Sequence, residues 1–154
     1  MSYAVQPVAY VVGGRDEWFE DRWGGVRSLI RMAPHLPDDA TLGLADFSHL
    51  EVVYVFHRVD PSKIRDDARH PRGNPQWPIV GLFTSRGPYR PNRLGVSRCR
   101  LLEVTGRDLH VQGLDALDGT PVLDVKPHMR EFTPPEAVVT QPAWASQLMA
   151  HYYD

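Results

Sequence analysis

Fourteen prolines and twelve glycines are spread along the 154 residues, and they constrain the fold more than any other feature of the sequence. Proline fixes φ and removes a backbone donor, and glycine favours turns, so a chain interrupted this often forms short strands and turns rather than long helices. Between the interruptions, Tyr3 to Val12 and Leu50 to Val59 are rich in Val, Tyr and Phe, and each has the length of a strand buried on at least one face. Val26 to Ala33 reads as another strand, and Leu44 to His49 as a turn leading into the strand at Leu50. Asp60 to Pro78 is polar and holds four prolines, so it is a loop, either a lid over a binding site or a surface excursion. Ile79 to Thr84 then resumes a strand. Val96 to Val104 and Leu109 to Leu114 form a hairpin about Thr105-Gly106-Arg107-Asp108. Val122 to Lys126 is the last strand, and its alternation places Leu123 and Val125 on one face with Asp124 and Lys126 on the other. From Pro142 to Tyr152, Trp144, Leu148 and Tyr152 fall at helical spacing, a stripe read as packing.

The length suits one domain with its own core, and a β-rich single domain over residues 1–154 is expected. A net charge of −2 gives the whole molecule no strong attraction to nucleic acid, so any such contact is local. Arg86, Arg90, Arg93, Arg98 and Arg100 lie close together, against an acidic run from Asp16 to Asp21; the arginines are either a solvated face or an anion site. No apolar run has the length of a membrane span and the first residues lack a secretory pattern, which makes a cytoplasmic protein the expectation. The single cysteine, Cys99, reads as a small buried strand residue.

Several familiar chemistries have no support in the sequence. There is no phosphate-cradling GxxxxGK[ST] loop, no strand followed by GxGxxG, no GxSxG nucleophile elbow, and the seven histidines show no compact ligand spacing. No metal requirement is expected. Two segments remain unusual. In Gly81 to Gly95 a strand runs into a loop stiffened by Pro88 and Pro91 and carrying Arg86, Arg90, Asn92 and Arg93, donors suited to a carboxylate, ribose or phosphate. In Gly113 to Pro121 two carboxylates, Asp115 and Asp118, occupy a connection between strands, where Asp118-Gly119 also has the form of a plain turn.

Read together, GLFTSRGPYRPNRLGVSRCRLLEV and LHVQGLDALDGTPVLDVKPH resemble the ordered signature of the TsaA-like (TrmO) family. Phe47-Ser48-His49-Leu50 and Val55-Phe56-His57 resemble the segment that precedes it, so the similarity covers about residues 4 to 132. Three departures stand out: Gly87-Pro88 replaces a Ser-Pro, Arg93 replaces a proline after Pro91-Asn92, and Val11-Val12-Gly13-Gly14 ends the first strand in place of Ile-Arg-Ser-Pro. They bear on the acceptor more than on the cofactor, because LDALDGTPVLDVKP is intact.

The resemblance implies a small β-barrel with a core of about 4 to 132 and a short C-terminal helix of about 142 to 152. It implies a homodimer that binds S-adenosylmethionine near its interface, unlike the Rossmann methyltransferases. The reaction implied is N6-methylation of threonylcarbamoyladenosine at position 37 of tRNA. By the same resemblance Phe83, Arg86, Asn92, Leu114, Asp115, Leu117, Asp118 and Thr120 are the expected cofactor contacts. A carbamoylated exocyclic nitrogen is a weak nucleophile, so a group that removes its proton is expected, with His57, Tyr89 and Asp118 as candidates. Two other readings stay open: the same chemistry on a small molecule or another RNA, and a non-catalytic S-adenosylmethionine-binding regulatory module.

Overall fold

The computed structural model describes residues 1–154. Six antiparallel strands close into a barrel: β1 (Ala9–Val12), β2 (Arg27–Met32), β3 (His49–Val55), β4 (Leu94–Thr105), β5 (Asp108–Gln112) and β6 (Pro121–Pro127), in the order β1-β2-β5-β4-β3-β6. Closure leaves no unpaired sheet edge. One short helix, α1 (Ala143–Leu148), follows. No helix is long and apolar enough to cross a membrane.

Alternation builds most of the interior. Leu50, Val52 and Tyr54 of β3 point inward, as do Cys99 and Leu101 of β4 and Leu109 and Val111 of β5. Cys99 is buried there as expected, and burial, with Asp115 nearby, pushes its thiol up to about 12. The β4–β5 hairpin turns where the sequence indicates, with Thr105 paired to Asp108 and Gly106 at φ 60 supplying the left-handed residue of the turn.

Other boundaries differ for local reasons. The first strand is only Ala9–Val12; residues 3 to 6 are exposed and run outside the barrel. β3 ends at Val55, because the chain turns there with the Val59 amide donating to the Phe56 carbonyl. Ile79 to Thr84 is not a strand. It makes one isolated bridge, Arg69 with Val80, and then a 3-10 turn at Leu82–Thr84, with Ile79 and Phe83 largely exposed. A six-membered closed barrel offers no edge for a seventh strand, and Gly81 ends the extended stretch.

β6 carries a second correction. Val53 faces Asp124 but Tyr54 faces Val122, so Leu123 is an extra residue and the inward phase shifts. Val122 is therefore in the core and Val125 packs against it, whereas Leu123 and Val125 do not share a face as simple alternation requires. Asp124 and Lys126 pair at 2.9 Å on the exposed side, a contact worth little in water.

The Asp60–Pro78 loop is pinned rather than loose. Arg72, in left-handed backbone at φ 51, reaches Asp21 at 3.0 Å and Glu20 at 3.4 Å, and Trp77 Nε1 donates to Gln147 Oε1 of α1 at 2.9 Å.

Candidate functional site

A cleft of about 530 Å³, mouth included, opens at one end of the barrel. Pieces far apart in sequence meet there: the chain leaving β3 with Phe56, His57 and Arg58, the Pro88-Tyr89 loop, the β5–β6 connection with Asp115, Leu117 and Thr120, and Trp18 from the β1–β2 loop. The walls are mainly apolar and aromatic, with a few polar groups converging, which is the usual composition of a small-molecule site.

Asp115 is its polar anchor. Tyr54 Oη donates to Asp115 Oδ1 at 2.9 Å, Ser97 Oγ donates to the same oxygen, and Tyr152 Oη donates to Oδ2. Tyr54 and Ser97 are buried, each on an inward position of its strand, so the barrel interior fixes the donors. Burial first, and then the Asp115 carboxylate, push the hydroxyls of Tyr54 and Tyr152 well above the ordinary tyrosine range. Both stay protonated and act as donors.

His57 lines the cleft with Nδ1 3.4 Å from Thr120 Oγ1. Its pKa is lowered, by burial first and then by the positive charges of Arg58 and Arg93, with Asp118 opposing. The neutral imidazole is thus favoured, the form that accepts a proton. Tyr89 lines the same cleft and is half exposed. Thr120 is buried, its amide donating to the Leu117 carbonyl at 3.1 Å, so the Leu117 to Thr120 turn presents its hydroxyl to the histidine.

Asp118 stands at the rim. Its Oδ1 accepts from the Gly13 amide at 2.8 Å and its own amide donates to the Arg15 carbonyl at 2.7 Å. Gly13, at φ 79, makes that approach possible without the strain a side chain would meet. Asp118 is therefore a clamp between two loops and acts on His57 through its charge.

The structure brings His57, Tyr89, Asp115, Leu117 and Thr120 together and leaves four other expected residues outside the cleft. Leu114 is fully buried in the barrel core, and Phe83 is largely exposed on its 3-10 turn. Arg86 donates to the Val96 carbonyl at 2.7 Å. Asn92 sits at φ 63, a conformation that asparagine tolerates, and serves the turn into β4. Arg90 and Arg93 likewise donate to the carbonyls of Ser85 at 2.8 Å and Val59 at 3.1 Å. Each of these arginines thus braces the loop through one guanidinium nitrogen.

Trp18, Tyr54 and Tyr152 were not legible as site residues. Trp18 lies in an acidic aromatic run bracketed by Gly13-Gly14 and Gly24-Gly25, the only local hint of a loop built to present a side chain. Arg15 braces this loop, with its guanidinium 4.4 Å from the Trp23 ring and bonds to the carbonyls of Asp21 and Arg22. Tyr54 reads only as a core strand residue, and Tyr152 as helix packing. No group of three or more His, Cys, Asp or Glu side chains is arranged to hold a metal ion.

Comparison with known proteins agrees with this architecture. A tRNA (adenine(37)-N6)-methyltransferase of Mus musculus is 35% identical over 100 residues, which are 65% of this chain but 23% of that protein, so the chain spans under a quarter of that relative's length. A protein of Methanothermobacter thermautotrophicus named "Probable S-adenosyl-L-methionine-binding protein" is 38% identical over 113 residues, 73% of this chain and 77% of its own. The crystal structure of TrmO from Pseudomonas aeruginosa superposes with a TM-score of 0.74 at 27% identity, covering 94% of this chain and 62% of that one. Residues 22–133, well over half of the chain, match the family model described as the tRNA-methyltransferase O N-terminal domain, and the chain belongs to that family.

Proposed function

We propose that this chain is an S-adenosylmethionine-dependent methyltransferase that methylates N6 of adenosine 37 in tRNA, with the threonylcarbamoylated nucleoside as acceptor. The observation that carries the reading is the cleft itself, into which the family-matched segments bring a favoured-neutral imidazole, a phenol and a hydroxyl-bound carboxylate. The residues present fit the cofactor: the aromatic and aliphatic walls suit an adenine and the carbons around the sulfonium, and the Asp115 carboxylate suits a cationic group. When bound, the cofactor supplies an electrophilic methyl group on a sulfonium.

The chain's own residues do the rest. The fixed cleft walls orient the acceptor, a contribution that does not depend on acid–base chemistry. His57, held near Thr120, takes the proton from the acceptor nitrogen, and Tyr89 and Asp118 stand close enough to the cleft to assist. Phe83, Arg86 and Asn92 stay in the proposal as acceptor-loop or partner-facing residues, since all three lie on the exposed loop that carries Tyr89. The protein is proposed to act in the cytoplasm as a homodimer; exposed Phe83, Val96, Phe132 and Val138 give a second copy apolar surface to cover.

One observation favours a different acceptor. Trp18 enters the cleft from the acidic run Asp16 to Asp21, of which Arg72 pairs with Glu20 and Asp21, and local negative charge of this kind disfavours a polyanionic acceptor. A small-molecule or other RNA acceptor is the second reading. Titration calorimetry with S-adenosylmethionine, followed by nucleoside mass spectrometry of tRNA incubated with protein and cofactor, tests both. Cofactor binding with methylated nucleoside supports the tRNA reading, binding without it moves the acceptor elsewhere, and no binding at millimolar cofactor refutes the enzyme; light scattering on the same preparation checks the dimer.

A further inference from the structure

The segment after residue 133 lies outside the family-matched residues, yet it returns to the mouth of the cleft. Its docking is specific. The Arg22 and Trp23 amides donate to the carbonyls of His151 at 2.9 Å and Tyr152 at 2.7 Å, and Trp77 reaches Gln147 of α1. A side chain at Gly24 would overlap the Tyr153 carbonyl, so the tail lies directly on glycine backbone. From this seat the Tyr152 hydroxyl meets Asp115 Oδ2, the one carboxylate oxygen that Tyr54 and Ser97 leave unbonded.

The partners of Asp115 are all hydroxyls, and none is a cation. The arginines nearest the tail tyrosines are engaged elsewhere, Arg86 on the Val96 carbonyl at 2.7 Å and Arg98 on Glu51 at 3.0 Å. A partly buried carboxylate whose hydrogen-bond partners are all neutral hydroxyls has no ion pair of its own, and a cationic ligand is what would supply one.

We propose that Tyr152 is a positioning residue for the cofactor subsite: from outside the matched domain it locks the Asp115 carboxylate toward the ammonium and sulfonium cations of the ligand's methionyl end. The inference rests on the cofactor reading above. Its content is that recognition of the charged end is completed by the C-terminal segment, while the adenosine end is held by the barrel and its loops. Tyr152 acts only through Asp115, and its own contact with the ligand is not required.

Calorimetry on the full chain separates the two ends of the ligand. S-adenosylmethionine carries the charged portion, and 5′-methylthioadenosine keeps the adenosine and thioether without it. Tyr152→Phe retains the ring and removes the hydroxyl, so S-adenosylmethionine affinity is expected to fall about tenfold, in the range of a lost bond to a charged group, while methylthioadenosine affinity is unchanged and reports an intact cleft. Gly24→Ala, which unseats the tail, should give the same selective loss. In an Asp115→Asn background Tyr152→Phe should add nothing, because the two residues act in series. Equal loss of both ligands, no loss of either, or additive effects in the double variant would overturn the positioning role with the cofactor reading intact. Wild-type protein that binds neither ligand would instead remove the cofactor reading, and the role of Tyr152 with it.

Discussion

Gly95→Ala is the substitution that links the barrel to the cleft most directly. Gly95 pairs with Tyr54 across β3 and β4, and the Tyr54 ring lies over the space a side chain would occupy. An added Cβ would stand 2.5 Å from Tyr54 Cζ, 2.6 Å from Cε2 and 3.0 Å from Phe56 Cζ. Carbon atoms in good contact are about 3.5–4.0 Å apart, so the ring must retreat by roughly 1 Å. It has little room, because Tyr54 is 1% exposed and Phe56 packs edge-on against it at 5.3 Å between centroids. Overpacking of this kind costs about 1–3 kcal/mol, and moving the Tyr54 hydroxyl off Asp115 adds about 1 kcal/mol at a partly exposed carboxylate. Gly95 has no positive φ to forbid alanine, and the smaller unfolded-state entropy returns about 0.4–1 kcal/mol. The net loss is about 2 kcal/mol, which for a chain of this size lowers Tm by about 4–8 °C. Differential scanning calorimetry measures it, with Gly25→Ala as control, since nothing lies within 4 Å of a Cβ there. S-adenosylmethionine affinity should fall in Gly95→Ala as well. A Gly95→Ala protein that melts at or above the wild-type temperature would refute the packing argument.

Other expectations concern the proton-accepting group and its surroundings. His57→Ala should leave cofactor affinity intact while turnover falls about 10²- to 10⁴-fold, the range for a general base; loss of cofactor affinity and thermal stability with turnover retained would make the histidine structural. Because burial and two arginines depress the His57 pKa, the acid limb of kcat/KM should lie below the ordinary imidazole value near 6.5. By the same sign, its contribution to stability is present above that value and is lost as pH falls through the lowered one, which pH-dependent melting reads. Asp118→Ala removes the acceptor of the Gly13 amide and should cost about 0.5–1.5 kcal/mol in urea denaturation, whereas Asp118→Asn keeps an acceptor oxygen and should shift the acid limb lower by removing a charge that raises the His57 pKa.

Much of this protein is written in local pattern. The alternation of Leu50, Val52 and Tyr54 states both a strand and its buried face, because side chains on extended backbone alternate whatever the strand later pairs with. Thr105-Gly106-Arg107-Asp108 states a hairpin because glycine supplies the left-handed residue the turn needs. The motif segments delivered Asp115, Leu117, Thr120, Tyr89 and His57 to one cleft, although no spacing rule relates His57 to Thr120, which are 63 residues apart.

Tertiary structure decided the remainder, since each outcome depends on a partner that local pattern does not contain. Ile79 to Thr84 has the composition of a strand, but the barrel closes without it and leaves no edge to pair with. The phase of β6 changes at Leu123 because its neighbour β3 sets the register. Arg86, Arg90 and Arg93 resemble an anion site along the chain, yet folding places backbone carbonyls within their reach, and for Arg90 and Arg93 these are part-buried acceptors that need a donor. Asp115 looked like one of two turn carboxylates; it became the centre of the site because closure of the barrel and return of the tail bring Ser97, Tyr54 and Tyr152 to it from 18, 61 and 37 residues away.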